Sequence, residues 1–393
     1  MLAHRTLSGS GHTMFQWRER WALVSVGALI LVIGVVSLTR QPALVPIDPP
    51  AVRDTLPSLL SDAEFWRTIE VFSEPNGFFR SDNFLSNESA LQEVIPELKE
   101  RIRPGGVYIG VGPEQNFTYI LAFQPKISFV VDIRRLNMLE HLIYKAIFEL
   151  SGDRSDFVSY LFSRPRPKGL TENTDIEEMF DAYESSPADQ SLLENNANAI
   201  LLHLVETHQF GLSEDDQLQI RYILSNFQQA GPDLSYTFLG SSYQGTLGMP
   251  TYRELMQDSD EEGFNWSFLA NKEQFRRIQD IQRRNLIIPL VGDFAGPRAL
   301  RAVGRFMTQH HAVLSVFYTS NVEMYLFQQG DDWKHFYENV ATLPFNSASA
   351  FIRFAAGRGG RARSQVWSSV RDVVDSIRAR RVDDHSGVLR LSR

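Results

Sequence analysis

Two glycines and one carboxylate have types and a spacing suited to binding a nucleoside. Gly110 and Gly112 lie at the end of the apolar run that starts at Val107, and Asp132 closes the next apolar run. Glycine between a strand and a helix lets the backbone approach a ligand, because no Cβ is in the way. A carboxylate at the end of the second strand can accept hydrogen bonds from both hydroxyls of a ribose. The alternative is a tight turn followed by an aspartate that caps the loop.

Other polar residues lie beside later apolar runs or in loops. Asp293 follows the run 286–291, and the run 312–318 ends with Tyr318, shortly before Asn321. A loop before a predicted helix offers a polar lip over the glycine turn, or simply turns and caps. Its residues are Asp82, Asn83, Asn87 and Glu88. Tyr243 lies in a glycine-rich loop suited to a mobile lid, although loop aromatics often only pack.

The composition excludes several kinds of chemistry. The chain has no Cys, which rules out disulfides, iron–sulfur clusters and thiol nucleophiles. Its net charge of −8 disfavours nucleic acid as a partner. No H-E-x-x-H, G-x-S-x-G or Walker A motif is present. His203 and His208 are five residues apart and do not share a helical face well, so we predict no metal.

The order of the apolar runs predicts an α/β fold. Strands are predicted at Val107–Val111, Ile127–Asp132, Leu286–Val291, Ala312–Tyr318 and Ala350–Ala355. A strand, a glycine turn, a helix and a strand with an acidic end form the first half of a nucleotide-binding βαβ unit, which predicts a Rossmann-type, mostly parallel sheet. Residues 137–230 have helical spacing almost throughout and are too long for a simple crossover, so we expect a large helical insertion.

The N-terminal part predicts a membrane anchor. The 18 residues from Trp21 to Leu38 carry no charge and come close to the length that crosses a bilayer. The flanking arginines favour a cytoplasmic N-terminus, which places the body on the extracytoplasmic side of the inner (cytoplasmic) membrane. A cleaved signal peptide is the alternative. Five prolines in residues 41–58 predict an extended linker.

The C-terminal end differs in charge from the body. From Arg358 onward there are nine Arg and four Asp, and a helix near Val366–Arg381 is expected to be solvated, or to lie against anionic lipid or the acidic body. The predicted organisation is a leader 1–20, a transmembrane helix 21–38, a linker 39–58, the first half of the core 59–136, the helical insertion 137–230, the second half of the core 231–357 and a basic tail 358–393.

Several strings resemble the core of class I S-adenosylmethionine-dependent methyltransferases, and one group of uncharacterised bacterial proteins with such a core. The resemblance covers residues 60–357 and rests on Ser81–Glu88, Tyr108–Tyr119, Val131–Asn137, Gly240–Gly245, Val291–Pro297 and Phe317–Glu323. It implies that the glycine turn faces the methionine part of the cofactor, that Asp132 holds the ribose and that Asp293 lies near adenine. Glu114 stands where these enzymes usually have a third glycine, which implies negative charge near the cofactor carboxylate.

Two functions follow as hypotheses. The first is a single-pass, membrane-anchored, S-adenosylmethionine-dependent methyltransferase-like protein, in which Tyr318 and Asn321 orient a small or peptidic acceptor. Methyl transfer needs alignment more than a strong base, so the lack of an obvious acid–base pair does not count against it. The second is a non-catalytic binding or scaffold protein of the cell envelope. A body outside the cytoplasm has no supply of S-adenosylmethionine, which would favour the second. The residues assigned to the cofactor are Gly110, Gly112, Asp132 and Asp293.

Overall fold

Six strands form one mostly parallel sheet that is flanked by helices. The structure is a computed structural model, and it describes residues 53–236, 249–355 and 364–393. The strand order is β3-β2-β1-β4-β5-β6. Strands β1 to β5 run parallel to one another, and β6 runs antiparallel to β5. The strands are β1 Val107–Gly110, β2 Ile127–Asp132, β3 Ile287–Val291, β4 Leu314–Ser320, β5 Phe345–Ala355 and β6 Ser364–Ser369.

Helices connect most of these strands. The α-helices are α1 Asp62–Phe72, α2 Ile95–Arg101, α3 Gln115–Phe123, α4 Arg135–Leu150, α5 Arg154–Phe162, α6 Ile176–Glu184, α7 Gln190–Leu202, α8 Glu214–Ala230, α9 Tyr252–Gln257, α10 Lys272–Arg283, α11 Ala299–Gln309, α12 Val322–Leu326, α13 Asp332–Val340, α14 Val370–Arg378 and α15 His385–Arg390. A π-helix covers His203–Thr207, and a 3₁₀-helix covers Gly231–Asp233.

The α/β class and the five predicted strands are confirmed. Every residue of β1, β2 and β3 is buried. Strands covered on both faces have continuous apolar runs rather than alternating ones, which is why the sequence revealed them. Pro289 is accommodated because β3 is an edge strand and pairs only with β2.

The strand order reverses direction at β1. The chain adds β2 and β3 on one side of β1, and then returns to add β4 and β5 on the other side. The connection that follows β1 and the one that follows β4 diverge to opposite sides of the sheet, so a crevice opens beyond the carboxyl ends of these two strands. Ligands of open α/β sheets bind at this position.

The region between β2 and β3 is helical in its described part. It begins with α4, which packs against β2, β3, α8 and α10. The helical region continues past residue 230, because α9 and α10 precede β3. A buried aromatic cluster joins its helices to α3, with ring centroids of Phe117 and Phe148 5.7 Å apart and those of Phe148 and Phe157 4.7 Å apart.

The basic tail is not a solvated helix, and of the alternatives considered the structure agrees with a helix that lies against the body. Residues from Ser364 to Ser369 pair with β5 as a sixth strand, so the helix begins only at Val370. Val370, Val373 and Val374 are buried, and α14 packs against β5. The arginines had suggested a surface segment, but the valines at helical spacing cover the sheet.

The predicted leader, the transmembrane helix 21–38 and most of the linker fall in residues 1–52, outside the described residues. Within the described part of the chain, no helix is both long and apolar enough to cross a membrane.

Candidate functional site

A partly enclosed cavity of about 150 Å³ lies in the crevice beyond β1 and β4. The ends of four strands and the loop before α2 contribute to its wall. Gly112, Asp132, Asp293 and Asn321 all line it, so the structure brings together residues that are far apart in sequence. The loop contributes Asn83, Ser86 and Asn87. Gly110, Asp82, Glu88 and Tyr318, which the sequence also nominated, do not line the cavity.

The glycine turn is held from its inner side by Asn116. The amide nitrogen of Asn116 donates hydrogen bonds of 2.8–3.1 Å to three successive carbonyls, those of Val111, Gly112 and Pro113. Gly112 has φ of +79°, a conformation that favours glycine. Its own Cβ position would be 2.8 Å from the Gln115 amide nitrogen. The turn is therefore fixed before any ligand arrives.

Gly110 has a different role from the one expected. A Cβ at Gly110 would lie 1.9 Å from Oδ1 of Asn116, which also accepts a 2.9 Å hydrogen bond from the Tyr108 hydroxyl. Gly110 makes room for Asn116 of the next helix and does not line the cavity. The assignment of Gly110 to cofactor contact therefore gains no support from its position and stays a prediction.

Glu114 does not bring negative charge to the cavity. Its side chain is fully buried and lies outside the cavity wall. Burial raises the pKa of Glu114 to about 8, so the carboxyl is mostly protonated at pH 7. The expected conflict with a cofactor carboxylate is removed by desolvation.

Asp132 is already engaged by Arg134. Oδ1 of Asp132 accepts hydrogen bonds from the backbone N–H and Nε of Arg134, at 2.9 and 3.0 Å, and Oδ2 accepts from Nη2 at 2.9 Å. Both side chains are more than nine-tenths buried. A carboxylate has about four acceptor positions, so one position on Oδ2 is left for a ligand. Asp132 can therefore hold one ribose hydroxyl, and not both as the sequence suggested.

Asp293 presents a second acceptor to the cavity. Its Oδ1 accepts from the Ala295 N–H at 2.9 Å, and no described group bonds Oδ2. Burial raises the pKa of Asp293. The loop that carries it is anchored by Glu74, which accepts from the backbone N–H groups of Asp293, Arg298 and Ala299.

Tyr318 and Glu88 form a buried network behind the cavity wall. The Tyr318 hydroxyl donates to Glu88 Oε2 at 2.6 Å, and Gln365 donates to the same oxygen at 2.8 Å. Ser320, which does line the cavity, donates to Glu88 Oε1. Burial raises the pKa of Glu88. Glu88 thus holds the end of β4 in place, and Tyr318, which was expected to orient a substrate, lies behind the cavity wall and not in it. Gln365 of β6 was missed because its segment had been assigned to a tail.

The loop before α2 closes one side of the cavity. Asn83 and Asn87 are half-buried in its wall. Asp82 points elsewhere, because its carboxylate accepts a 2.8 Å hydrogen bond from Tyr222 and its carbonyl accepts from Arg134. The loop is joined to the glycine turn by a hydrogen bond from the Ser86 N–H to Glu114. Tyr243 lies outside the described residues.

An aromatic wall was missed by the sequence reasoning. Its members are Phe78, Phe79, Tyr236, Phe294 and Tyr325. The rings of Phe79 and Tyr325 meet edge to face, with centroids 5.5 Å apart. The adjacent pair Phe78–Phe79 in a loop, with Phe78 81% exposed, was the available signal. Such rings suit the flat faces of a base.

Buried polar atoms without partners lie behind the glycine turn, on the first turns of α4. His141 Nε2 donates to the Gly112 carbonyl at 2.9 Å, and burial lowers the pKa of His141 to about 4, so the ring is neutral. No described group bonds His141 Nδ1, either polar atom of the Asn137 amide or either oxygen of Glu140. Burial and the nearby Glu114 carboxyl raise the pKa of Glu140. Such atoms call for water or a polar ligand.

A group that could hold a metal lies away from the cavity. It consists of Glu149, His203 and His208. The argument that the two histidines do not share a face was wrong, because the chain between them is a π-helix. Its i→i+5 hydrogen bond aligns residues five apart.

A comparison with known protein families finds a match over most of the sheet and the cavity. The profile of a domain of unknown function, DUF7790, matches residues 83–374. This match covers more than half of the chain and contains the six strands and most of the cavity wall. No curated protein matches.

Proposed function

This chain belongs to the DUF7790 family, and we propose that it binds S-adenosylmethionine in its crevice and acts as a membrane-anchored methyltransferase-like protein. The observation that carries this proposal is the meeting of Gly112, Asp132, Asp293 and Asn321 in one cavity. They come from the ends of four strands around the point where the strand order reverses, the usual ligand position of such sheets. The Rossmann-type, methyltransferase-like fold is part of the proposal, supported by this strand order.

The lining suggests an orientation for the ligand. Adenine would lie against Phe294 and Ile133, with its exocyclic amine near Asp293, because a base needs flat apolar faces and a polar edge. One ribose hydroxyl would donate to the remaining position on Asp132 Oδ2. The amino acid part would lie near Gly112 and the loop amides of Asn83 and Asn87.

Charge favours this ligand over a dinucleotide. Arg134 is the one basic residue among the described residues of the wall, and Asp132 occupies its Nε and Nη2 groups. Beyond the Asp132–Arg134 pair, the remaining charged group of the wall is the Asp293 carboxyl, which would disfavour the negative charge of a pyrophosphate, whereas a sulfonium carries positive charge. The balance of charges therefore supports the adenosyl sulfonium compound.

The acceptor would bind beside the end of β4. Ser320 and Asn321 reach the cavity there, while Tyr318 acts through Glu88 and Ser320 as a positioning residue. Ser320 has φ of +52°, which is uncommon for a residue other than glycine and is held by its bond to Glu88. In this proposal Asn321 orients a small or peptidic acceptor, and membrane lipid contacts only the anchor at 21–38.

A second candidate is an envelope protein that binds a ligand without catalysis. It is favoured by the engagement of Asp132 with Arg134, which leaves the carboxylate one acceptor position where a ribose offers two hydroxyls. Topology separates the two functions, since the cofactor is made in the cytoplasm. A reporter fused to the C-terminus that is active only outside the cytoplasm would favour the second candidate.

Calorimetry tests the ligand directly. The full-length chain in detergent is titrated with S-adenosylmethionine, S-adenosylhomocysteine and, as a comparison, NAD⁺. We expect the two adenosyl compounds to bind and Asp293→Asn to weaken binding by about tenfold or more, equivalent to about 1.4 kcal/mol. Asp280→Asn, at an exposed carboxylate of α10, is the matched control and should leave the affinity unchanged. Absence of binding, or equal affinity in Asp293→Asn and the control, would refute the proposal.

A further inference from the structure

Three side chains meet at the far end of α4 from the crevice. Glu149 lies in the last turn of α4, which at 1.5 Å per residue is about 20 Å from the start of the helix at Arg135. Its Oε2 is 2.7 Å from Nε2 of His203 and 2.6 Å from Nε2 of His208. The two Nε2 atoms are 3.2 Å apart. Two imidazole nitrogens and a carboxylate oxygen therefore converge on one point.

The local backbone creates this convergence. The His208 N–H donates to the His203 carbonyl at 3.0 Å, which is the i→i+5 bond of a π-helix. In an ordinary α-helix, residues five apart point in different directions, while one turn of π-helix aligns them. Turns of π-helix are rare in proteins, and those that occur are often found at functional sites. The chain thus departs from α-helical geometry at the place where its two histidines come together.

The three atoms are close enough together for one ion to contact all of them. A circle through them has a radius of about 1.7 Å, so a point roughly 1.3 Å off their plane lies at about 2.1 Å from all three, the usual metal–nitrogen distance, and on binding Glu149 would move slightly away from the two histidines to open the ligand angles. Two histidines and a carboxylate are the protein ligands of many zinc sites and of non-haem iron sites.

The groups around the ligands support the same interpretation. Asp62 Oδ1 lies 3.0 Å from Nδ1 of His208, and Lys145 donates to the other Glu149 oxygen, Oε1, at 2.6 Å. A ligating histidine usually directs its second nitrogen at a carboxylate, and a ligating carboxylate is usually hydrogen-bonded through its other oxygen. Both nitrogens of His208 lie near carboxylate oxygens, although Nδ1 makes no aligned hydrogen bond with a described group. With a metal on Nε2, the Nδ1–H would be on the side of Asp62.

The cluster is accessible to an ion. The side chains of Glu149, His203 and His208 are 7%, 18% and 11% exposed. A surface cavity of about 310 Å³ touches His208, and Asp62, Trp66 and Gln209 also line it. Three protein ligands leave a further position, which water can fill from this side.

We propose that Glu149, His203 and His208 bind a divalent first-row transition metal, separate from the crevice. The shared chemistry is a two-histidine, one-carboxylate set, which both Zn²⁺ and Fe²⁺ accept. The ion joins α1, α4 and the π-helix through its ligands and Asp62. This inference does not depend on the ligand of the crevice.

Equilibrium dialysis of the chelator-treated full-length chain tests it, with Zn²⁺ in one arm and Fe²⁺ under anaerobic conditions in the other. We expect one ion per chain and at least tenfold weaker binding in His203→Asn, His208→Asn and Glu149→Gln. His335→Asn, at an exposed histidine of α13, is the matched control. Preference for one ion identifies it, and binding of both supports the shared chemistry.

A spectrum guards against variants that do not fold. Co²⁺ added to the wild-type chain should give a visible absorption band that Zn²⁺ removes, which requires no variant. Circular dichroism shows which variants are folded. Metal binding that matches the control in folded ligand variants, no binding of either ion, or no displaceable Co²⁺ band would overturn the proposal and leave Glu149 as an acceptor for protonated histidines.

Discussion

The two ends of helix α4 bury polar groups in opposite ways. Near its start, Asn137, Glu140 and His141 have polar atoms that no described group bonds. Near its end, Lys145 and Glu149 bond each other, and Glu149 also accepts from two histidines. All of these side chains are largely buried within one 16-residue helix.

The difference lies in what neutralises each charge. At the start, burial raises the pKa of Glu140 and lowers that of His141, so both shifts favour the uncharged forms. At the end, hydrogen bonds from the histidines and Lys145 keep the pKa of Glu149 well below its usual value despite burial. The pKa shifts at one end favour uncharged groups that lack partners, whereas those at the other end favour a charged and paired carboxylate. The first arrangement leaves polar atoms for water or a ligand, and the second brings three possible ligand atoms together.

The largest expected effect is at the paired end. Lys145→Met should lower the free energy of unfolding by about 3–5 kcal/mol, because Glu149 would keep its buried charge after losing its cation. Urea unfolding of the full-length chain with a chelator present measures this loss. Lys334→Met, at an exposed ion pair, is the control and should cost less than about 1 kcal/mol. Equal losses in the two variants would show that the pairing at Glu149 adds nothing.

Behind the glycine turn, substitution of Glu114 should raise the free energy of unfolding at high pH, whereas substitution of Lys145 lowers it. The folded chain keeps the Glu114 proton up to a pKa of about 8, while the unfolded chain releases it near 4.5. The wild type therefore loses stability as pH rises through this window, and Glu114→Gln should not. From pH 5 to pH 8 the variant should gain roughly 3 kcal/mol relative to the wild type.

Urea unfolding at several pH values measures this gain. Glu97→Gln, at an exposed position of α2, is the control. A constant difference between Glu114→Gln and the wild type at all pH values would contradict the neutral state of Glu114.

The smallest of the three effects appears in acid. His141 stays neutral in the folded chain down to a pKa of about 4, while the unfolded chain takes up the proton near 6.5. The wild type should therefore lose roughly 2 kcal/mol relative to His141→Gln between pH 7 and pH 4.5. Glutamine retains a donor for the Gly112 carbonyl. His335→Gln is the matched control, and parallel curves for the wild type and His141→Gln would refute the prediction.

The strands were largely predictable because a strand that is buried on both faces consists of a continuous run of apolar residues. Ile127–Asp132 has the predicted bounds, and Val107–Gly110 is one residue shorter than expected. β6 was not predicted, because Ser364 to Ser369 mixes polar residues with only two large apolar ones, Val366 and Trp367, and follows several arginines. Its place at the sheet edge depends on pairing with β5, which is a long-range contact.

The site was predictable only in part. Strand ends locate Gly112, Asp132, Asp293 and Asn321 at one edge of the sheet, and all four line the cavity. Sequence does not show which way a side chain points within that edge. Tyr318 alternates into the core and bonds Glu88.

By itself the sequence determined strands β1 to β5, the glycine turn and the helical region between β2 and β3, because these depend on local propensity and on runs of apolar residues. Only the tertiary structure decided that Arg134 occupies Asp132, that Asn116 fills the space at Gly110, and that a π-helix aligns His203 with His208. These outcomes depend on the directions of side chains and, at the two histidines, on the i→i+5 hydrogen bond of the π-helix, which spans one residue more than that of an α-helix. Packing fixes such details between parts of the chain that no local pattern connects.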